Sequence, residues 1–88
     1  MWEVLLSPDV QDFLKKQDKQ IEDRLRKGLE KLKTENPFHY IEHLEDKTHY
    51  KSRIGHYRAL IDIDFENKIL KVHVLDHRSV IYKRKLNS

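Results

Sequence analysis

The sequence predicts a small single-domain α+β fold over residues 1–88, in the element order strand, helix, helix, strand, strand, strand. Two segments place apolar residues at helical spacing, four segments alternate with a period of two, and 88 residues leave room for one core only. Two amphipathic N-terminal helices then cover one face of a mainly antiparallel four-stranded sheet and leave the other face open.

In residues 1–6, Trp2, Val4 and Leu6 alternate with Glu3 and Leu5, the pattern of a half-buried strand. Ser7-Pro8-Asp9 is a helix start: an N-cap oxygen, a proline at the first helical position, and acids near the positive end of the dipole. Val10, Phe13 and Leu14 form the apolar side of that helix, which ends near Lys16. A second helix is predicted from Asp18 to Glu35, with Ile21, Leu25, Leu29 and Leu32 on one stripe. Gly28 lies on the edge of the stripe and costs about 1 kcal/mol of helix propensity relative to alanine, so close packing is expected there. Asn36-Pro37 stops the helix, because the residue before proline is steered away from helical angles. Residues 37–47 read as a connection anchored by Phe38, Ile41 and Leu44. Strands at 48–54 and 57–65 are joined at Gly55, where a tight turn favours glycine, and Glu66-Asn67-Lys68 turns the chain into a last strand, 68–76. In that strand strict alternation buries Leu70, Val72 and Val74 and turns Lys71 and His73 to the other face.

No cysteine is present, so disulfides and thiolate metal sites are excluded. The first ten residues lack the basic and apolar regions of a signal peptide, and no apolar run approaches the ~18 residues of a membrane helix. A soluble cytoplasmic protein with no membrane partner is the expectation. The net charge of +3 is unevenly distributed. Residues 1–46 hold eight Lys/Arg against eleven Asp/Glu, whereas residues 47–88 hold ten against four. The second half is therefore the expected contact surface for nucleic acid.

The stretch YKSRIGHYRALIDID, residues 50–64, concentrates that charge. Side chains two apart on a strand share a face, so Lys51 and Arg53 point the same way and Arg58 reaches them from across the hairpin. Cations gathered on one sheet surface repel one another and suit a polyanion. The plainer alternative is a solvated basic face. Tyr57 points to the opposite face and reads as packing. His39 and His43 are four apart but have no evident third ligand, so they read as surface histidines.

The element order, this basic segment, and the closing VLDHRSVIYKR resemble the RelE/ParE superfamily of bacterial and archaeal toxins, on the RelE side. The most specific parts are Gly55-x-Tyr57-Arg58 leading into an alternating strand, and His77-Arg78 followed by Tyr82. The resemblance covers nearly the whole chain. It implies the toxin of a type II toxin–antitoxin system: a ribosome-dependent endoribonuclease that cuts messenger RNA in the 30S A site and is neutralised by a RelB-like antitoxin. Carried over residue by residue, the family's site maps to Lys51, Arg53, Arg58, Arg78 and Tyr82, with no cofactor, no metal and no small-molecule substrate.

RNA supplies its own nucleophile, the 2′-hydroxyl. A cleaving enzyme orients that group, takes its proton, stabilises the phosphorane charge and protonates the leaving 5′-oxygen. Under the resemblance Arg58 clamps the phosphate, Lys51 and Arg53 flank it, and Lys51 is the proton acceptor because neighbouring cations favour a neutral lysine. Arg78 steadies the leaving oxygen, with adjacent His77 as second choice, and Tyr82 stacks on a base. Alternatives are an Arg58 paired with Asp62 or Glu66, a backbone-bonded His77, and a Tyr82 packed in the core. No carboxylate cluster is expected beside the basic patch, which argues against a two-metal nuclease. Arg24, Lys27, Lys31 and Lys83-Arg84-Lys85 are expected to grip ribosomal RNA through phosphates. The main competing function is a non-catalytic ParE-like inhibitor of DNA gyrase; a third is a domain that only docks an antitoxin.

Overall fold

Ser7 and Asp18 start the two helices as the sequence predicts. Ser7 Oγ accepts from the Val10 N–H, and an Asp18 carboxylate oxygen accepts from the Ile21 N–H at 3.1 Å. The computed structural model describes residues 1–43 and 49–81. Its elements are β1 (Glu3–Leu6), α1 (Pro8–Lys16), α2 (Lys19–Glu30), a 3₁₀ turn (Pro37–Tyr40), β2 (Ile41–His43), β3 (Tyr50–Ile54), β4 (Tyr57–Asp64) and β5 (Ile69–His77). Residues 78–81 add a helical turn after β5.

The sheet has five strands, in the order β1-β5-β4-β3-β2. β1 runs parallel to β5 and the other neighbours are antiparallel. Five strands replace the four predicted. The extra one, β2, is three residues long, too short to show a period, and forms by pairing Ile41, Glu42 and His43 with Ser52, Lys51 and Tyr50. Leu44 and the rest of the predicted connection after His43 lie outside the described residues.

Both helices pack on one sheet face. Val10 and Leu14 of α1 and Leu25 and Leu29 of α2 are buried against Ala59 and Ile61 of β4, Ile54 of β3, and Leu70, Val72 and Leu75 of β5. Burying a large aliphatic side chain contributes roughly 1.5–3 kcal/mol, so this face holds the fold together. The radius of gyration is 12.4 Å, close to the value expected for a compact chain of this length.

Two details depart from the sequence expectation. Helix α2 ends at Glu30 rather than Glu35. The chain then tightens: Leu32 N–H donates to Leu29 and Lys33 N–H to Glu30. This turn buries Leu32 and offers the Thr34 carbonyl to the Trp2 N–H at 2.9 Å, which ties the start of β1. In β5 the strict alternation fails. Leu60 pairs with Val74 but Ile61 pairs with Val72, so His73 is the extra residue of a β-bulge. The parity flips beyond it, and Leu75, not Val74, enters the core.

Candidate functional site: the helix-free face of the sheet

Strand register places the predicted cations. Arg53 lies directly opposite Arg58 across β3 and β4, and Arg58 lies opposite Asp76 across β4 and β5. Lys51 lies opposite Leu60 in the next row, with Glu42 on its other side. Paired residues share a face, and Ala59 and Ile61, which point to the helices, have the other parity. Lys51, Arg53 and Arg58 therefore do converge on the face without helices.

Their environments differ from the sequence expectation. Arg58 is only 3% exposed. Its Nη1 donates to the carbonyls of Gly55 at 2.9 Å and Tyr57 at 2.8 Å, so the guanidinium is folded into the β3–β4 turn. It pairs with neither Asp62 nor Glu66 among the described residues. Its Nε is buried with no partner among the described residues. A buried N–H without an acceptor costs about 1–3 kcal/mol, and more on a charged group, so an anionic oxygen here would be favourable.

Lys51 Nζ lies 4.0 Å from Glu42 Oε2, and the lysine side chain is 17% exposed. An anion is thus beside it, where the expectation of a proton acceptor drew on neighbouring cations. Asp76 and Asp62 occupy the same face. The expectation of a basic patch without carboxylates is therefore corrected: cross-strand pairing brings Glu42, Asp62 and Asp76 next to cations from which they are distant in sequence. Arg53 is exposed and has no ion pair among the described residues.

The Arg78 N–H donates to the His56 carbonyl at 2.8 Å, which sets its backbone against the β3–β4 turn, at the end of the sheet where Arg53 and Arg58 stand. Its side chain is exposed and has no ion pair among the described residues. His77 is in register with Tyr57, on the helix-covered parity, with ring centroids 5.6 Å apart. Its Nδ1 accepts from the Ser79 N–H at 3.2 Å. It caps the turn at 78–81 and faces away from Arg58, the backbone-bonded alternative. Tyr57 packs edge-on against Phe13 of α1, as predicted. Tyr82 and Lys83-Arg84-Lys85 lie outside the described residues.

Sequence reasoning missed a groove of about 370 Å³ between α2 and the open part of the β3 edge. Arg24 and Lys27 of α2 and Lys31, its C-cap, meet Arg53 there, beside Tyr40. Arginine and lysine at steps of three and four on one helix face were visible in the sequence; that Arg53 completes the set depends on β2 leaving β3 after Ser52. His39 and His43 pack against the Tyr40 and Tyr50 rings.

No family model and no curated protein matches this chain. Solved structures do share its fold. A chain of the toxin–antitoxin complex RelBE2 from Mycobacterium tuberculosis aligns with a TM-score of 0.75 at 23% identity, covering 88% of this chain and 98% of that one. The archaeal RelE–RelB complex from Pyrococcus horikoshii OT3 aligns at 0.70 and 22%, covering 88% and 94%. The RelB–RelE antitoxin–toxin complex from Methanococcus jannaschii aligns at 0.65 and 20%, covering 89% and 94%. At these identities the shared property is the fold: a small α+β domain with helices on one side of a mixed five-stranded sheet.

Proposed function

We propose that this chain is the toxin of a type II toxin–antitoxin system and acts as a ribosome-dependent endoribonuclease on messenger RNA in the 30S A site. The observation that supports the reading best is the Arg58 row. A buried guanidinium with an unpartnered Nε lies opposite an exposed arginine on an otherwise helix-free face. A phosphate oxygen is the natural acceptor for such a donor. The toxin role, rather than that of an acidic, partly disordered antitoxin, is supported by a continuous hydrophobic core and a net charge of +3.

In this reading Arg58 and Arg53 hold the RNA backbone, Lys51 adds positive charge one row away, and Arg78 steadies the departing 5′-oxygen. Tyr82 stacks on a base beyond the end of β5. The α2–β3 groove grips ribosomal RNA through phosphates, without reading sequence. A RelB-like antitoxin covers the basic face, and the protein works in the cytoplasm, where ribosomes are. No cofactor takes part.

Adding the purified chain to a reconstituted translation reaction tests the proposal. Protein synthesis is expected to stop, and to continue when the cognate acidic partner is added first. Undiminished synthesis alongside loss of gyrase supercoiling would replace this reading with the ParE-like one.

A further inference from the structure

The bulge at His73 adds a histidine–carboxylate pair to the helix-free face. Asp62 of β4 is in register with Lys71, but the extra residue swings His73 over the carboxylate, and His73 Nε2 lies 2.6 Å from Asp62 Oδ2. His49, just before β3, approaches the other carboxylate oxygen, with Nε2 3.7 Å from Oδ1. An ionised carboxylate only accepts, so Nε2 of His73 donates, and Nδ1 is the nitrogen left over. Nδ1 has no protein partner among the described residues, and the His73 side chain is 49% exposed.

The bulge is held from the far side. Ser7 Oγ, the cap of α1, donates to the His73 carbonyl at 2.9 Å, and the Ser7 N–H donates to the Val72 carbonyl at 3.0 Å. Bulges that re-aim a side chain are frequent beside active sites. Along β4, Asp62 is two residues from Leu60, the partner of Lys51, or about 7 Å, and four from Arg58, or about 13 Å. An RNA strand running 5′ to 3′ along β4 from Asp62 toward Arg58 lays a ribose beside His73, its 3′-phosphate, the one attacked, near Lys51, and the next phosphate near Arg58.

We propose that His73, oriented by Asp62, is the general base for RNA scission on this face. The inference rests on the nuclease reading above. The 2′-hydroxyl proton passes to His73 Nδ1 as the 2′-oxygen bonds to phosphorus. The P–O5′ bond breaks, and the 5′-oxygen takes a proton from water. The products are a 2′,3′-cyclic phosphate and a 5′-hydroxyl. A carboxylate-held histidine is suited to this, since the carboxylate fixes both the orientation and the tautomer of the ring. The groups facing it are Asp62, His49 and Lys71 on the sheet, Asp9, Asp12 and Lys16 of α1, and Asp76 of its own strand.

The experiment is single-turnover cleavage of message on programmed ribosomes from about pH 5.5 to 8.5. It compares wild type, His73→Gln (which keeps a donor toward Asp62), Asp62→Asn, and His73→Ala with and without added imidazole. The glutamine variant is expected to cut about 10²–10⁴-fold more slowly with the acidic limb of the profile flattened. Asp62→Asn is expected to slow cutting less and to shift that limb. Imidazole is expected to restore part of the alanine variant's rate. If wild type cuts and His73→Gln cuts equally fast with the same profile, the role of His73 is wrong and the nuclease reading stands. If wild type does not cut at all, both fall.

Discussion

Arg53 and Arg58 face each other in register across β3 and β4, two cations on adjacent strands of one sheet face. Like charges directly opposite are destabilising by a few tenths of a kcal/mol up to about 1. The fold lessens the conflict by turning the Arg58 guanidinium into the hairpin carbonyls while Arg53 stays in solvent. Replacing Arg53 with Gln is therefore expected to raise stability by about 0.2–1 kcal/mol in urea unfolding while weakening binding to single-stranded RNA. A variant that is less stable would show that the two charges do not oppose each other.

Gly28 has no room for a side chain. A Cβ at this position would lie 2.5 Å from Ile54 Cγ2 and about as close to the other branch at 3.0 Å. Alanine gains about 1 kcal/mol of helix propensity, but pushing a buried β-branched side chain costs typically 1–3 kcal/mol. Gly28→Ala is expected to lose up to roughly 2 kcal/mol by urea unfolding, and to lose less when Ile54 is also shortened to Ala. Purely additive losses would contradict the contact.

The two hairpin turns carry opposite backbone defects. Gly55 has φ of 60° with nothing within 4 Å of a Cβ, so only conformation constrains it. Lys68 has φ of 56°, a left-handed position filled by a residue that dislikes it. Gly55→Ala is expected to cost about 1–2 kcal/mol, and Lys68→Gly to gain about 0.5–1, because the left-handed strain outweighs glycine's entropy. Thermal unfolding of the two variants checks both signs.

Asp64 closes the β4–β5 turn, accepting from the Asn67 side-chain amide at 2.9 Å and the Asn67 N–H at 3.1 Å. These bonds, the side-chain one first, hold its carboxyl below the usual carboxylate range. The unfolded chain then binds this proton more readily than the fold does, so the turn's contribution is whole at neutral pH and fades as acid is added below about pH 4. Asp64→Asn is expected to flatten that part of the melting-temperature profile. An unchanged acid dependence would contradict it.

Wherever a local period or a cap decides the structure, the sequence already shows it: Ser7 and Asp18 as caps, the apolar stripes of both helices, and the parity of β4. The departures arise where tertiary pairing decides. Val74 and Leu75 exchange roles because one extra residue at His73 breaks a period of two, and no single-strand pattern reveals a bulge. Residues 41–43 become a strand only because β3 offers an edge. The same holds for the site. Alternation placed Lys51, Arg53 and Arg58 on one face, but the burial of Arg58, the Glu42 beside Lys51, and the Asp62–His73 contact depend on which strands become neighbours. Tyr82 lies beyond the described residues.

The most direct test of the nuclease reading is to map 5′ ends of a defined message on programmed ribosomes after adding wild type, Arg58→Met or Arg53→Gln. Methionine fills the Arg58 site without a buried charge but leaves the Gly55 and Tyr57 carbonyls without their donor, so a loss of about 1–3 kcal/mol is expected and urea unfolding confirms that the variant is folded in the assay. Wild type is expected to leave new ends inside the A-site codon, Arg58→Met to leave none, and Arg53→Gln to leave few. The same A-site ends from wild type and Arg58→Met, or none from wild type, would contradict the assignment of RNA cleavage to this face.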